Sequence, residues 1–145
     1  MMNGTMKLAL AGVVAGALAT TAALAQDTVT MLGAQMYGEQ EVGHEGAGED
    51  AGGDFVAEID SEAGTLCYFL DTYGLDDVTA AHVHKAPDGE NGPPVVVLEV
   101  GADDEVCAEV EAELLGDIAA NPDQYYVNVH TAAIPAGAIR GQLGD

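Results

Sequence analysis

Basic residues are nearly absent from this chain. Only three of its 145 residues are Lys or Arg, against 25 Asp or Glu, and the formal net charge is −22 at neutral pH. Without the first 25 residues, Lys85 and Arg140 alone stand against 25 acids, a charge of 2 minus 25, or −23. Such a surface repels phosphate backbones and anionic lipid, so nucleic acid and acidic membrane surfaces are excluded as partners.

Long apolar runs are also lacking, except at the start. Residues 8–25 are apolar and follow a single cation, Lys7, and the run ends in Ala23-Leu24-Ala25 before Gln26. This order predicts a secretory signal peptide over residues 1–25 and an exported domain over residues 26–145. A first transmembrane helix is the alternative. No later segment is long enough to span a bilayer, so we expect no membrane insertion and a secreted or periplasmic protein.

Cysteine is scarce, with Cys67 and Cys107 alone. Their separation excludes a CxxC redox motif. In an exported chain the pair predicts one intramolecular disulfide. It would close a loop of about 40 residues and stabilise the fold by roughly 4 kcal/mol. Free thiols or thiolate metal ligands are the alternatives.

Familiar catalytic signatures are missing too. The sequence has no Gly-x-Ser-x-Gly elbow, no phosphate-binding glycine loop and no catalytic Cys–His pattern, so hydrolase and nucleotide chemistry find no support. The acid pair Asp76-Asp77 lacks the spacing of an EF-hand, and solvated turn residues are the simpler interpretation.

Alternation of period two dominates what is present. Seven segments are predicted as strands: residues 28–37, 54–60, 65–73, 76–85, 95–100, 124–131 and 136–143. Within residues 107–122, near-helical spacing of Val110, Leu114, Leu115 and Ile118 predicts one short helix that ends at Asn121-Pro122. The glycine-rich acidic stretch 39–53 is predicted to be a loop. The pattern predicts an all-β fold, an antiparallel Greek-key β-sandwich or barrel of about seven to eight strands with one short helix.

Three of the four histidines lie on predicted strands. His82 and His84 are two residues apart in "AAHVHK", so their side chains share one face of a strand. In "YYVNVH" the apolar positions alternate with Tyr126, Asn128 and His130, which places His130 on the polar face of its strand. If the two strands are neighbours, three imidazoles converge on one patch.

Such a patch is suited to a metal ion. Imidazole binds zinc, copper, iron and nickel, and three protein ligands leave one position for water or substrate. We therefore predict that His82, His84 and His130 are ligands of one transition metal ion, and that His44, in the acidic loop, is a possible fourth ligand. Ordinary solvated strand histidines are the alternative.

Lys85 and Arg140 are the other unusual side chains, because nothing else beyond residue 25 is cationic. A chain with so few positive charges is expected to place them where an anion approaches. This interpretation gives Arg140 a role in guiding an anionic substrate, with Lys85 as a second candidate. Salt bridges to the abundant acids are the alternative for both residues.

Several stretches together resemble the CHRD domain, the module named for chordin. They are "GEQEV" near the start, "AGTLCYFLDTYGL", "TAAHVHKAPDGENGPPVVVL" and "NPDQYYVNVHTAAIPAGAIRGQL". The resemblance covers nearly all of residues 26–145 and implies a small extracellular β-sandwich. Gly43 stands where the family pattern usually has proline, and a glycine-rich acidic insertion follows.

The site is also similar to that of copper/zinc superoxide dismutases. Those enzymes likewise hold copper with an H-x-H pair and a later strand histidine, and they have a disulfide and an arginine near the C-terminus. The similarity implies that His82, His84 and His130 hold the metal and that Arg140 guides superoxide. Four histidines are too few for a two-metal site, so one metal ion is expected, with His44 or water as fourth ligand.

Three functions follow as hypotheses. The first is an exported redox metalloprotein that acts on superoxide with copper or iron, since zinc does not change oxidation state. The second is a non-enzymatic extracellular module that binds a protein or matrix partner. The third is a periplasmic metal carrier, in which the acidic loop with His44 captures the ion.

Overall fold

The computed structural model describes residues 29–145. The predicted signal peptide, residues 1–25, and the predicted start of the domain at Gln26 lie outside the described residues. None of the helices in the described part of the chain is long and apolar enough to cross a membrane.

Eight strands, one α-helix and two short 3-10 turns make up the described chain. The strands are β1 (Val29–Tyr37), β2 (Gly52–Asp60), β3 (Thr65–Tyr73), β4 (Val78–Lys85), β5 (Pro94–Leu98), β6 (Val106–Glu109), β7 (Tyr125–Thr131) and β8 (Ile139–Gln142). The helix α1 is Ala112–Ala120, and the 3-10 turns are Gly38–Gln40 and Pro122–Gln124. The prediction of an all-β fold with about seven to eight strands and one helix is confirmed.

All eight strands belong to one antiparallel sheet in the order β5-β4-β7-β8-β1-β2-β3-β6, which curls into a nearly closed barrel. The first three strands form a meander. The chain then crosses to the far side of the sheet for β4 and β5, returns for β6, and finishes with β7 and β8 in the middle. As a result β7 lies between β4 and β8, although β7 begins 40 positions after the end of β4 in sequence.

The barrel interior is filled by the apolar half of each alternating strand. Phe55, Ala57 and Ile59 of β2 are buried, and so are Val127 and Val129 of β7. Helix α1 adds Leu115 and Ile118 to the same cluster. Because successive side chains of a strand point to opposite faces, the polar residues of β4, β7 and β8 lie on the outer face of the sheet.

The sequence prediction was wrong at the start of the helical segment. Cys107 and the two residues after it are in β6, and the helix begins only at Ala112. Cys107 lies opposite Cys67 of β3, and the two residues are joined as a disulfide, as predicted. The four residues of β6 pair with β3, and this tertiary contact is stronger than their local tendency to extend the helix. The predicted helix end at Asn121-Pro122 is confirmed.

The acidic loop that follows β1 is hydrogen-bonded to the segment just before β8 and to the loop between β4 and β5. The amide of Ala47 donates to the carbonyl of Ala138 at 2.8 Å, and the side chain of Asn91 donates to the carbonyl of Val42 at 3.0 Å. The loop between β4 and β5 is thus linked to the acidic loop, and the two loops lie together over the outer face of β7 and β8.

Candidate functional site

The register of β4 and β7 brings three histidines together. The two strands are antiparallel neighbours, with Ala80 opposite His130 and His82 opposite Asn128. The intervening residues of β4, Ala81 and Val83, point into the core. His82, His84 and His130 therefore share the outer face, as the alternation predicted, and the strand adjacency on which their convergence depends is present.

One ring nitrogen from each histidine lies within 4.8 Å of the other two. Nδ1 of His82 and Nε2 of His130 are 3.1 Å apart, and the ring of His84 lies 5.6 Å from that of His82, centroid to centroid. Three nitrogens about 2.0–2.1 Å from one ion must lie within about 4 Å of each other. The observed spacing is therefore close to that of a three-histidine metal site.

Backbone carbonyls select which ring nitrogen is free in two of the three histidines. Nδ1 of His84 donates to the carbonyl of Gly92 at 2.9 Å, and Nδ1 of His130 donates to the carbonyl of Pro135 at 3.1 Å. Since a carbonyl only accepts, each Nδ1 carries the proton and each Nε2 keeps its lone pair. Metal-binding histidines are typically oriented by such a contact on their other nitrogen.

The Nε2 atom of His84 is buried and has no hydrogen-bond partner in the described chain. A buried polar atom without a partner is uncommon in native proteins and points to an ion or water that binds there. The donor set therefore fits a metal ion on grounds independent of the distances.

Burial favours the neutral imidazole in His84 and His130. Burial lowers the pKa of His84, although its hydrogen bond to Gly92 opposes the shift. Burial also lowers the pKa of His130, against the hydrogen bond to Pro135. The neutral imidazole is the form that binds metal. His84 and His130 therefore need not lose a proton to bind a metal ion at neutral pH.

His44 does not join the cluster. Its Nε2 atom lies 3.0 Å from the carbonyl of Gly137, and Glu41 is its nearest acidic partner at 3.8 Å. Within residues 29–145 the histidine group that could hold one ion consists of His82, His84 and His130.

Arg140 is buried, with only 1% of its surface exposed. Its guanidinium group lies 3.5 Å from the ring centre of Tyr126 and donates to Oδ1 of Asn91 at 3.2 Å and to the carbonyl of Pro87 at 3.4 Å. It lies under the loops rather than at an exposed opening. The role of Arg140 in guiding an anion, expected from the scarcity of cations and from the dismutase similarity, stays a prediction.

Lys85 forms a salt bridge with Asp117, with Nζ 2.7 Å from Oδ2. This pair holds the pKa of Lys85 at about 12 and that of Asp117 at about 2, with the side-chain hydrogen bond between them as the main cause of both shifts. The structure therefore bears out the salt-bridge alternative for Lys85.

Sequence reasoning missed the residues that support the histidines. The ring of Tyr126 stacks on that of His84, with centroids 4.8 Å apart and planes 15° from parallel. The Tyr126 hydroxyl accepts from the amide of Gly92 at 3.2 Å. The position of Tyr126 on the same strand face as His130 was a signal that could have found it. Nothing in the sequence marks the carbonyls of Gly92 and Pro135 as acceptors.

Comparison with known proteins gives one match. The sequence model of the CHRD domain matches residues 32–143, which include all eight strands except the first residues of β1. No curated protein and no solved structure matches the chain. Since the matched segment is well over half of the sequence, the chain belongs to the CHRD domain family.

Proposed function

We propose that this CHRD protein holds one transition metal ion at His82, His84 and His130, and that it acts on superoxide. The observation that carries the proposal is the unpartnered, buried Nε2 of His84 in a cluster whose ring nitrogens lie within 4.8 Å of one another. Orientation of His84 and His130 by backbone carbonyls supports it further, because neither of these two ligands has to be reoriented when the ion binds.

Copper or iron is the metal we propose. Three neutral imidazoles suit copper, iron, zinc and nickel alike, but zinc does not change oxidation state. Copper or iron held by His82, His84 and His130 would supply one-electron redox chemistry, by which two superoxide ions and two protons from solvent give O₂ and H₂O₂. The chain supplies three ligands and leaves a further coordination position for the substrate.

We also propose that the protein is exported, to the periplasm or the extracellular space. The Cys67–Cys107 disulfide supports this location, because such bonds persist in oxidising compartments. The strongly acidic composition is consistent with an exposed, soluble protein.

The test is the metal content of the full chain, expressed for export to a bacterial periplasm and purified without a tag. We expect about one copper or iron per chain, and loss of that metal in the double variant His82→Ala/His84→Ala. The variant His44→Ala is the matched control and should keep the metal, because His44 lies outside the cluster. Metal-free protein in every preparation, also after incubation with copper, would contradict the proposal.

Turnover is a separate measurement. Superoxide decay followed by stopped-flow absorbance should accelerate with metal-loaded protein and not with the double variant. If the protein bound metal but superoxide decay were no faster, the metal site would stand and the superoxide reaction would be wrong. The metal would then be carried by the protein or would stabilise its fold.

A non-enzymatic binding module is the second candidate, and one surface supports it. Val56 and Phe69 lie directly opposite each other on β2 and β3 and are about half exposed, and Met31 on β1 is 55% exposed. Apolar side chains on the outer face of a sheet often mark an interaction surface. This candidate gains if neither metal nor turnover is found.

A further inference from the structure

We infer that Arg140 is a positioning residue of the histidine cluster, which acts on His84 through Tyr126 and the loop of residues 86–93. The inference rests on the proposed function for its meaning, because it assigns Arg140 to the support of a metal ligand. It replaces the expectation that Arg140 meets the substrate.

The first step is the stack on β7. This strand lies between β4 and β8, so Tyr126 has His84 on one neighbouring strand and Arg140 on the other. Its ring is nearly parallel to that of His84 at 4.8 Å, and the Arg140 guanidinium lies 3.5 Å from its centre. A planar cation on an aromatic ring is a favourable contact that is strengthened by burial. Arg140 therefore holds the ring on which His84 rests.

The second step is the loop between β4 and β5. Arg140 donates to Asn91 and to the carbonyl of Pro87, and the same loop supplies the Gly92 carbonyl to Nδ1 of His84. The guanidinium thus supports both neighbours of His84, the aromatic ring beside it and the carbonyl that selects its tautomer.

The third step concerns what Arg140 lacks. Among residues 29–145 no carboxylate lies within salt-bridge distance of its guanidinium, and the contacts at its two terminal nitrogens are neutral acceptors. Glu41 attracts Arg140 from beyond salt-bridge distance, but no carboxylate forms a direct ion pair with it. Burial of an arginine without a direct ion pair is costly, so stability alone is a poor reason for it. The planar guanidinium donates to two oxygens of the loop, Oδ1 of Asn91 and the carbonyl of Pro87, while its face stacks on the ring of Tyr126. A lysine ammonium group cannot make these contacts together.

The experiment compares Arg140→Gln and Arg140→Lys with the intact chain, and uses Lys85→Gln as the matched control. Lys85→Gln also removes one positive charge, but from an exposed pair with Asp117 that has no part in the stack. Thermal unfolding establishes that each variant is folded before any other measurement.

The first measurement needs no metal. Long-range nitrogen–proton NMR correlations of the imidazole rings report which nitrogen carries the proton. We expect His84 of the intact chain and of Lys85→Gln as the Nδ1–H form, and a mixture of tautomers in both Arg140 variants. An unchanged His84 spectrum in both Arg140 variants would overturn the inference.

The second measurement uses copper. Loss of a supporting contact outside the ligand set typically weakens metal binding by about 10–100-fold, and we expect a loss near the lower end, about 10-fold, with an altered Cu(II) EPR spectrum. Arg140→Lys could instead keep the copper affinity, the EPR spectrum and the His84 tautomer of the intact chain. Positive charge alone would then be enough to support His84, and the inference that the planar contact does so would be wrong.

The two proposals fail in different ways. If the intact chain binds no copper while His84 still changes tautomer in the Arg140 variants, the metal function is wrong and the positioning role stands. If copper binds to all forms with equal affinity and His84 is unchanged, the reverse holds.

The pair Tyr126→Phe and Tyr126→Leu covers the case in which both Arg140 variants fail to fold. Phenylalanine keeps an aromatic ring beside His84 and Arg140, whereas leucine does not. We expect the Nδ1–H form of His84 to persist in Tyr126→Phe and to be lost in Tyr126→Leu. Equal behaviour of the two would contradict the stack as the means of support.

Discussion

Nδ1 of His82 lies 3.1 Å from Nε2 of His130, although 48 residues separate them along the chain. The Nδ1 of His130 already donates to the carbonyl of Pro135, so its Nε2 is an acceptor. In the metal-free protein His82 must therefore donate its Nδ1 proton to His130. The proposed ion would take the place of that proton, because metal ligands bind through the lone pair.

Replacement of His130 by glutamine should weaken copper binding by more than about 100-fold, because a lost ligand costs more than a lost supporting contact. His44→Gln should leave copper binding unchanged, since His44 contacts Gly137 instead. Competition with a chelator of known affinity measures both variants. Equal losses would mean that His44 is a ligand, and no loss in either would contradict the cluster as the site.

Gly92→Ala should destabilise the protein by about 1–3 kcal/mol and also weaken metal binding. A Cβ atom at Gly92 would collide with the backbone carbonyl of Lys85, so the loop must move and withdraw the carbonyl that orients His84. Chemical denaturation and chelator competition measure the two effects.

Gly116→Ala is the control for this substitution. Position 116 lies within α1, where an added Cβ meets nothing within 4 Å. Alanine there should stabilise the protein by about 0.5–1 kcal/mol and leave metal binding unchanged. If Gly92→Ala behaved like Gly116→Ala, the close approach of the loop to β4 would have no role in the site.

Much of the fold was accessible from the sequence because alternation is a local signal. The seven predicted strands correspond to seven observed strands, with small differences at their ends. The eighth, β6, was missed because four residues carry too little alternation to separate them from the helix that follows. Its strand conformation depends on pairing with β3, and in particular on Cys107 opposite Cys67.

The site was accessible only in part. Alternation placed His82, His84 and His130 on polar strand faces, but it carries no information on which strands are neighbours. The positions of the Gly92 and Pro135 carbonyls depend on loop conformation, which residue types do not determine. Burial of Arg140 depends on two loops that fold over β8, and the sequence does not show this. The scarcity of cations beyond residue 25 suggested instead that Arg140 faces an approaching anion.

Removal of the disulfide should cost roughly 4 kcal/mol, as expected for a closed loop of about 40 residues. We expect this loss for Cys67→Ala/Cys107→Ala relative to the oxidised protein, measured by urea denaturation. The disulfide joins β3 and β6, whereas the histidine cluster is on β4 and β7, so metal binding by the folded variant should be unchanged. A loss of metal in folded variant protein would show that the cysteines contribute to the site.

Ionisation of Glu41 should lower the stability of the folded protein as pH rises. Its side chain is 3% exposed, and burial raises its pKa above the ordinary value of 4.5 despite a hydrogen bond from Asn128 and the nearby His44 and Arg140. The folded state therefore holds the proton more tightly than the unfolded state. The ionised form is disfavoured above the folded pKa, and this penalty disappears as pH falls towards 4.5.

The variant Glu41→Gln isolates this contribution from the other 24 acids. Glutamine keeps a carbonyl to accept from Asn128, which now bonds to Glu41 Oε1 at 2.6 Å, but it has no charge. We expect the variant to be more stable than the wild type at pH 7, and the difference to shrink between pH 7 and 4.5. Because His44 is an ionisable neighbour of Glu41, both proteins should carry His44→Gln. Urea denaturation at several pH values gives the difference in stability. A variant that is less stable at pH 7, with a gap that narrows as pH falls, would mean that attraction to Arg140 outweighs the burial of the carboxylate.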